Sequence, residues 1–289
     1  MTQGPDGMLW MATEEGLYKF NGMAFSLYEP PAGERWFSSS AMLQVYAAPD
    51  GTVWTSSRRR GLAAIRNGHV TFYDQHDGLP DAAVKEITQA PDGTMWVVGA
   101  GGRLMYLRSG RWLNEQGGLS VGEAVSLNFF DQHRTQWIAT RKAVYCRSRG
   151  EALFRLVPSQ MREGSDAVSF HETPEGKLLL ALNYNLPQLH FEINEFTEGG
   201  DHALAEPVLT SQPGWFTELL FDHRGSTWLL GKNGGYFRRP QDFSGESSAP
   251  GNSQSREELF SSLPKLDLEV VETGLIDKQG DVWLASDDA

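Results

Sequence analysis

Hydrophobic and polar residues alternate in short runs along the chain, and these runs return at a nearly constant interval. Examples are MLQVYAA (42–48), VKEITQA (84–90) and VSLNFF (125–130). A period close to two is typical of β-strands, whereas the apolar positions of amphipathic helices recur every 3.6 residues. The pattern therefore predicts strands throughout and argues against helical repeats of the tetratricopeptide type.

One motif repeats seven times. Its best preserved copies are GPDGMLWMAT (4–13), APDGTVWTSS (48–57) and APDGTMWVVG (90–99). The copies are anchored at Trp10, Trp54, Trp96, Trp137, Leu179, Trp228 and Trp283, with spacings of 44, 42, 41, 42, 49 and 55 residues. Repeats of this length are typical of arrays in which each copy forms one supersecondary unit.

Two kinds of tight turn divide each repeat into four short strands. In Pro-Asp-Gly, proline favours the first corner of a type I turn and glycine takes the left-handed conformation that follows. Asp6, Asp50 and Asp92 are therefore interpreted as turn residues rather than acids or metal ligands. Asn21-Gly22 and Asn67-Gly68 favour type I′ hairpin turns. Each period is predicted to form a four-stranded antiparallel meander with the tryptophan on its second strand.

A single meander cannot bury both of its faces, so units of this kind stack in a ring. We therefore predict an all-β fold: a β-propeller of six to seven four-stranded blades of about 42 residues each, occupying residues 1–289 as a single domain. A solenoid is the alternative, although its units are usually shorter. The low-complexity segment SGESSAPGNSQS (244–255) is interpreted as a flexible loop of the sixth blade.

The first and last repeats are shorter than the others. The first copy is expected to supply the second, third and fourth strands of a meander without the first, and the seventh copy to supply only the first two. An open end blade leaves an unpaired sheet edge. We therefore expect this segment to be an incomplete fragment of a longer propeller array.

Charge and composition exclude several classes of partner. The formal net charge of −12 argues against nucleic acid, because binding it requires neutralising phosphates. The single cysteine, Cys146, excludes an internal disulfide. No stretch approaches the roughly 18 apolar residues of a membrane helix, and the start MTQGPDGMLW lacks the pattern of a signal peptide. No direct membrane insertion is expected in this segment.

The early repeats resemble the two-component regulator propeller repeat, D-x-x-G-x-[LM]-W-[IM]-x-T-x-x-G-L-x-[KR]-[FY]-[DN]-G. The stretch GPDGMLWMATEEGLYKFNGMAF (4–25) fits this pattern closely, and YDQHDGLPDAAVKEITQAPDGTMW (73–96) is similar to the family's linker between blades. The resemblance covers essentially the whole chain. It weakens at Leu179, which replaces the tryptophan, and at Arg134-Thr135, which replaces the turn glycine.

The resemblance implies a sensory role. Propellers of this family form the sensory, usually periplasmic, part of membrane-bound bacterial signalling proteins, whose output is a histidine kinase, a diguanylate cyclase or a DNA-binding regulator. The chain carries no phosphoacceptor helix, ATP-binding glycine box or cyclase signature. The resemblance therefore implies a periplasmic sensor propeller with its output domain outside this chain, and a homodimer formed through the full-length protein.

The sequence contains no recognisable catalytic constellation. Gly-x-Ser-x-Gly, His-Glu-x-x-His and phosphate-loop motifs are absent, and the seven histidines lack the spacing of metal ligands. We predict no catalysis, no cofactor and no metal. Two alternatives stay open: a scaffold propeller without a small-molecule ligand, and a propeller enzyme of the lactonase or lyase type.

The candidate binding surface is the face of the ring that carries the loops between second and third strands and between blades. These loops vary from repeat to repeat, and they collect basic and aromatic side chains in an otherwise acidic protein. The candidate residues are Arg35, Trp36, Arg58, Arg59, Arg60, Arg141, Lys142, Tyr184, Trp215 and Lys232. The expected partner is an anionic ligand such as an oligosaccharide, or an adjacent domain of the same signalling protein. The alternative is that these side chains are merely solvated.

Overall fold

The structure, a computed structural model, is almost entirely β. It describes residues 1–80, 82–120, 122–158, 161, 165–173, 176–184, 190–196, 206–210, 215–222, 226–231, 234–238, 261–262 and 270–286. The chain divides into two compact units, one of residues 1–140 and 145–155 and the other of residues 141–144 and 156–289. The predicted loop 244–255 lies outside the described residues.

The first unit contains three complete sheets and most of a fourth, each an antiparallel meander in chain order. The first sheet is β1 (Thr2–Gln3), β2 (Leu9–Ala12), β3 (Leu17–Phe20) and β4 (Phe25–Leu27), and the second is β5 (Met42–Ala47), β6 (Val53–Ser57), β7 (Leu62–Arg66) and β8 (His69–Tyr73). The third is β9 (Val84–Gln89), β10 (Met95–Gly99), β11 (Leu104–Arg108) and β12 (Arg111–Asn114), and the fourth is β13 (Val125–Phe130), β14 (Gln136–Thr140), β15 (Val144–Arg147) and β16 (Arg155–Val157). A 3-10 helix, Gln75–Asp77, follows β8.

The second unit continues the same pattern. The fifth sheet is β17 (Ser165–Glu172), β18 (Leu178–Tyr184), β19 (His190–Phe196) and β20 (Glu206–Thr210), and the sixth is β21 (Phe216–Phe221), β22 (Thr227–Gly231), β23 (Gly234–Arg238) and β24 (Ser261–Ser262). The seventh sheet has two described strands, β25 (Thr273–Ile276) and β26 (Val282–Ala285). The predicted meanders, with each anchor residue on the second strand, are confirmed.

One prediction about the first repeat is wrong. Its first strand is present as β1, because Thr2 pairs with Trp10 and Gln3 pairs with Leu9. The strand was missed because two polar residues give no alternating pattern. Pairing to β2 alone defines it.

The Pro-Asp-Gly turns form as predicted. Gly51 has φ +83° and donates its N–H to the Ala48 carbonyl at 2.9 Å, while Asp50 Oδ1 accepts the Thr52 N–H at 3.0 Å. The same contacts recur around Asp6 and Asp92. Each of these aspartates therefore uses its carboxylate inside its own turn, as the sequence predicted.

The two Asn-Gly turns differ from each other. Asn67 and Gly68 both have positive φ, 51° and 80°, which confirms the type I′ turn there. The prediction is wrong for Asn21-Gly22, where only the glycine has positive φ. Four residues separate Phe20 from its partner Phe25, and Asn21 Oδ1 accepts the N–H groups of Met23 and Ala24. The side chain of Asn21 thus closes a wider turn.

Neighbouring sheets of the first unit pack face to face through apolar clusters. Along β6 the side chains alternate, so Val53 joins the cluster shared with the first sheet and Trp54 joins the cluster shared with the third. The Trp54 ring lies 6.2 Å from the ring of Trp112 in an edge-on arrangement. The sheet is therefore covered on both faces, with the anchor tryptophan between sheets.

The contact between the third and fourth sheets adds a polar network to the packing of Trp96 against Phe130, whose rings lie 6.1 Å apart. Asn128 Nδ2 donates to Thr88 Oγ1 at 2.6 Å, and Gln136 Nε2 donates to Asn128 Oδ1 at 2.7 Å. Arg147 extends this hydrogen-bond network, because it donates to Gln136 Oε1 at 2.6 Å and to Glu115 Oε2 at 2.9 Å. An apolar sheet in either place would leave these groups unpaired, so the network favours this order of neighbours.

A half-buried glutamate lies at this same contact between sheets. Glu86 Oε2 on β9 accepts the backbone N–H of Asn128 on β13 at 2.8 Å. In the second unit Glu218, at the corresponding position of β21, accepts the N–H of Gly274 on β25 at 2.6 Å. Burial raises the pKa of Glu86 to about 8, and burial also raises the pKa of Glu218. Both carboxyls satisfy an N–H of the first strand of the next sheet.

The fourth and seventh repeats anchor their tryptophans by a hydrogen bond. Asp131 Oδ1 accepts the Thr135 N–H at 2.8 Å, and its Oδ2 accepts Trp137 Nε1–H at 2.8 Å. Asp277 and Trp283 make the same 2.8 Å bond. In these repeats the aspartate opens the turn, so one carboxylate ties the turn to the indole.

We expect Glu86→Gln to change how stability depends on pH. The folded-state pKa of about 8 lies above the ordinary 4.5, so between those values the unfolded chain loses a proton that the folded chain keeps. The free energy of unfolding should fall through this window, by up to about 1.4 kcal/mol per pH unit. Glutamine keeps the acceptor but cannot titrate. Urea unfolding at pH 4.5, 6 and 7.5 should show a stabilisation of the variant that grows with pH, and parallel profiles would contradict this.

The turn of the fourth repeat offers a second test. Arg134 has φ +66°, the place that glycine takes in the Pro-Asp-Gly turns. A left-handed non-glycine residue costs about 1 kcal/mol, so Arg134→Gly should raise the free energy of unfolding by about that amount. The matched control is Gly93→Arg, at φ +89°, which should lower it comparably. Thermal and urea unfolding measure both, and destabilisation by Arg134→Gly would contradict the account.

Candidate functional site

A cavity of about 310 Å³ opens between the loops of the first unit. We call it the loop pocket. It is enclosed by the loop between β4 and β5, the loop between β6 and β7, strand β8 and the 3-10 helix. Its lining residues are Arg35, Trp36, Phe37, Ser38, Arg60, Gly61, Phe72, Asp74, Gln75, His76 and Pro80.

A series of aromatic contacts positions one wall of the loop pocket. The Trp36 ring lies 5.4 Å from Tyr28 and 4.9 Å from Phe37, and Phe37 lies 5.1 Å from Phe72. Tyr28 in turn lies 5.7 Å from the anchor Trp10. The loop between β4 and β5 is thereby held to the packed core, so the pocket wall does not depend on loop backbone alone.

Arg35 is held at the mouth of the pocket by two contacts. Its Nη2 lies 2.5 Å from Asp74 Oδ2, and its Cζ lies 4.5 Å from the centre of the Phe72 ring. The Arg35 side chain is nonetheless 63% exposed. A guanidinium in this position has donors left for a ligand, since it carries five N–H groups in a fixed fork.

Asp74 is the best-fixed charge of the loop pocket. Its Oδ1 accepts the backbone N–H of His76 at 2.8 Å and lies 3.0 Å from His76 Nδ1, while Asp77 Oδ2 accepts the Asp74 N–H at 3.0 Å. These reciprocal bonds form a capping box on the 3-10 helix. The hydrogen bond from the His76 backbone, followed by that from Arg35, lowers the pKa of Asp74 to about 2. Asp74 is therefore a carboxylate throughout the physiological range.

The loop that carries Arg60 is shaped by Ser57 at the end of β6. Ser57 Oγ donates to the Arg60 carbonyl at 2.9 Å and accepts the N–H groups of Arg59 and Arg60. Gly61 follows with φ +90°, and a methyl group there would lie 2.6 Å from Phe72 Cζ. Glycine is thus required for this loop to approach the pocket wall.

Three of the ten candidate residues, Arg35, Trp36 and Arg60, lie together in the loop pocket. Arg58 is exposed and pairs with Glu14 at 3.1 Å, and Arg59 is exposed without lining the pocket. Fewer than half of the ten candidates therefore converge on this pocket.

The other candidates belong to the second unit. Arg141 Nε lies 3.8 Å from Asp166 Oδ1, Lys142 is exposed, and Trp215 is half-buried just before β21. Lys232 lies outside the described residues. The placement of Tyr184 in a loop is wrong: β18 extends to this residue and its side chain is 1% exposed, so it offers no surface to a ligand.

Four residues that line the loop pocket were not predicted from the sequence: Phe72, Asp74, Gln75 and His76. The segment YDQHDG was interpreted only as part of a linker between blades. Its Asp-x-x-Asp-Gly spacing is a capping-box pattern ending in a glycine at φ +99°, which could have indicated an ordered helical turn. That Arg35 meets this turn from 39 residues away is a tertiary contact that no local pattern encodes.

No group of three or more histidine, cysteine, aspartate or glutamate side chains with metal-binding geometry occurs among the described residues. In the same part of the chain, no helix has the length and apolar character required to cross a membrane. Cys146 is buried on β15.

Solved structures similar to the chain include two extracellular domains from B. thetaiotaomicron. BT3049, assigned as a hybrid two component system, has a TM-score of 0.74 at 16% identity, covering 99% of this chain and 38% of that one. BT4673, assigned as a one component system, has a TM-score of 0.72 at 13% identity, covering 99% and 36%. This chain thus spans little more than a third of either domain.

A similar match is the virginiamycin B lyase of Staphylococcus aureus, with a TM-score of 0.72 at 13% identity over 98% of this chain and 89% of the lyase. No protein-family model and no curated protein matches the chain. At these identities the likeness concerns the fold alone, and it confirms the predicted β-propeller. Both sensor domains and an enzyme share this architecture.

The titration of Asp74 tests the geometry of the loop pocket. Carboxyl ¹³C shifts followed by NMR should give Asp74 a midpoint of about 2. In Arg35→Gln the midpoint should rise only part of the way to the ordinary 3.8, because the His76 N–H remains and is the larger cause. A wild-type midpoint near 3.8 would contradict the described contacts.

Proposed function

We propose that this chain is a non-catalytic sensory propeller of a membrane-bound bacterial signal-transduction protein, placed in the periplasm, and that its loop pocket binds an acidic saccharide. The observation that carries the proposal is the convergence of Arg35, Arg60 and Trp36 on one cavity. The likeness to two extracellular sensor domains supports the sensory role. The output domain would lie outside this chain.

The charge of the loop pocket favours an anion. Two guanidinium groups and one carboxylate line it, in a protein whose formal net charge is −12. Asp74 is already bonded to Arg35 and His76, which offsets its repulsion of an anion. A locally positive cavity concentrates anionic ligands, while the negative net charge of the chain as a whole repels other acidic proteins.

The shape and aromatic content of the loop pocket favour a sugar. A cavity of about 310 Å³ is at the lower end of the range for small-molecule sites. Trp36 and Phe72 offer flat apolar faces for the C–H groups of a pyranose ring, and Gln75 and Ser38 offer polar groups for its hydroxyls. Arginine is suited to the carboxylate of a uronic acid, which it can bind through two parallel hydrogen bonds.

The fold does not separate a sensor from an enzyme, since virginiamycin B lyase shares it. The alternative hypothesis of a lactonase- or lyase-type enzyme requires acidic or histidine side chains that converge on one site, often around a metal ion. Calorimetric titration of the chain with Mg²⁺ and with Ca²⁺ distinguishes the two readings, and we expect no heat of binding. Saturable heat with either ion would favour the enzyme.

Substitutions at two neighbouring arginines, Arg59 and Arg60, test the ligand site. Acidic oligosaccharides, for example oligogalacturonides, should bind the wild-type chain, and their neutral counterparts should bind at least 10-fold more weakly. Arg60→Glu should weaken acidic binding by about 10- to 100-fold, the effect of losing a charged hydrogen bond of 1.5–3 kcal/mol. The matched control is Arg59→Glu, which makes the same charge change one residue outside the pocket and should leave affinity within about 3-fold.

Two results would contradict the proposal. One is a glycan array on which no acidic saccharide binds the wild-type chain. The other is an equal loss of affinity in Arg59→Glu and Arg60→Glu, which would indicate a diffuse electrostatic effect rather than a pocket. Circular dichroism of both variants shows whether they remain folded.

A further inference from the structure

Among the described residues that line the loop pocket there is one histidine, His76, in the 3-10 helix that follows β8. Histidine is the side chain that ordinarily gains or loses its charge between pH 5 and 8. The other charged side chains of the lining are Arg35, Arg60 and Asp74. Arginine stays charged at every relevant pH, and the pKa of Asp74, about 2, keeps it a carboxylate. A change of charge in this lining near neutral pH therefore has to come from His76.

Two contacts with Asp74 fix the position of the His76 side chain. Asp74 Oδ1 accepts the His76 backbone N–H at 2.8 Å and lies 3.0 Å from Nδ1 of the ring. A carboxylate can only accept hydrogen bonds, so Nδ1 carries the proton of this contact in the neutral and in the charged imidazole alike. Only Nε2 therefore changes when the ring titrates. It is a lone-pair acceptor in the neutral form and an N–H donor in the charged form.

The Nε2 atom of His76 is available to a ligand. The two ring nitrogens point in nearly opposite directions, so Nε2 is directed away from Asp74. Within the described part of the chain, no residue forms a hydrogen bond with Nε2. The side chain is 83% exposed although it lines the pocket. The atom that changes with pH is therefore one that a bound molecule can contact.

Asp74 also brings His76 and Arg35 together. Its Oδ2 accepts from Arg35 Nη2 at 2.5 Å, while its Oδ1 contacts the histidine. One carboxylate thus holds two basic side chains next to each other, and Arg60 lines the same cavity from the loop between β6 and β7. An anion in this cavity meets two permanent positive charges and a third that depends on pH.

The other charged groups near His76 do not supply a second titration near neutral pH. Asp77 belongs to the same 3-10 helix, and its Oδ2 accepts the Asp74 N–H. Glu34, in the loop between β4 and β5, lies near His69, with 3.4 Å between Oε1 and Nδ1. Carboxyl groups ordinarily titrate near pH 4. His69 begins β8 and does not line the pocket, so it serves as a natural control for His76.

We propose that His76 is a ligand-binding residue of the loop pocket, and that its protonation makes the pocket bind acidic saccharides more tightly as the pH falls. This inference rests on the proposed function and adds a regulation of the same site. Neutral His76 presents a lone pair at Nε2, which suits a hydroxyl group and repels a carboxylate. The charged ring instead donates Nε2–H to the carboxylate in a charge-assisted hydrogen bond.

The direction of the effect follows from linkage between proton and ligand. An anion in contact with Nε2 favours the protonated ring, so the complex binds more protons near neutral pH than the free chain does. The uronate itself stays ionised down to about pH 5, because carboxyl groups titrate near pH 4. Binding should therefore take up protons, and a periplasmic sensor of this kind would respond to its ligand more strongly in an acidic medium.

Calorimetric titration of the whole chain with trigalacturonate at pH 7.5 and at pH 5.5 tests the proposal. Wild-type affinity should be about 3- to 10-fold higher at pH 5.5, the effect of one added charge on a largely exposed group. His76→Gln cannot gain this charge, and its affinity should be the same at both pH values. His76→Arg carries a permanent charge, so its affinity should also be the same at both, near the wild-type value at pH 5.5.

The matched control is His69→Gln. His69 lies on the neighbouring strand β8 and is 85% exposed, so it resembles His76 in type and exposure but lies outside the pocket. This variant should keep the wild-type pH dependence. Glu86 also titrates in this range, with a pKa of about 8, but it is present in every variant and does not line the pocket. Its contribution therefore cannot distinguish the variants from the wild-type chain.

Titration at pH 6.5 in two buffers with different heats of ionisation counts the protons. The wild-type chain should take up a fraction of a proton for each ligand bound, and His76→Gln should take up none. The inference is overturned by equal wild-type affinity at both pH values, by proton release on binding, or by a His76→Gln variant that keeps the pH dependence. Those results leave the proposed function standing. Absence of trigalacturonate binding at both pH values contradicts the proposed function, and the inference with it.

Discussion

The packing of one sheet against the next is the constraint on which the structure depends. A four-stranded meander of this sequence has apolar side chains on both faces, as Val53 and Trp54 show on β6. Burying such a face contributes about 25 cal/mol for each Å² removed from water, and no single sheet can cover itself. The repeat is therefore stabilised by its neighbours, and the anchors Trp10, Trp54 and Leu179 each lie in an apolar cluster that two sheets share.

The same constraint explains where function is located. Because most strand side chains are committed to packing between sheets, the loops carry most of the variable chemistry. Trp36 shows how the two are joined: its ring contacts Tyr28, which contacts the anchor Trp10, and it also lines the loop pocket. The pocket is thus an extension of the core rather than a separate feature of flexible loops.

Local patterns allowed most of the fold to be predicted. Alternation, Pro-Asp-Gly turns and the spacing of the tryptophans are properties of neighbouring residues, so they identified strands and meanders correctly. Details that depend on specific partners were not predictable in this way. The bond between Asp131 and Trp137, the positive φ of Arg134 and the two-residue β1 each depend on partners that the pattern does not specify.

The candidate site was predictable only in part for the same reason. Arg35, Trp36 and Arg60 stood out as basic or aromatic residues in variable loops, whereas Asp74 and Phe72 reach the pocket through tertiary contacts. Tyr184 was misplaced because β18 is longer than the second strands of the other sheets, at seven residues. A strand's end depends on its partners, and β19 continues the pairing to His190.

A double-mutant cycle between Trp54 and Trp112 measures the contact between sheets most directly. The two rings lie 6.2 Å apart on different sheets and share no strand. If packing between sheets holds the array together, the free energies of unfolding of Trp54→Leu, Trp112→Leu and the double variant should reveal a coupling of about 0.5–1.5 kcal/mol. Strictly additive losses, with no coupling beyond about 0.3 kcal/mol, would contradict the account.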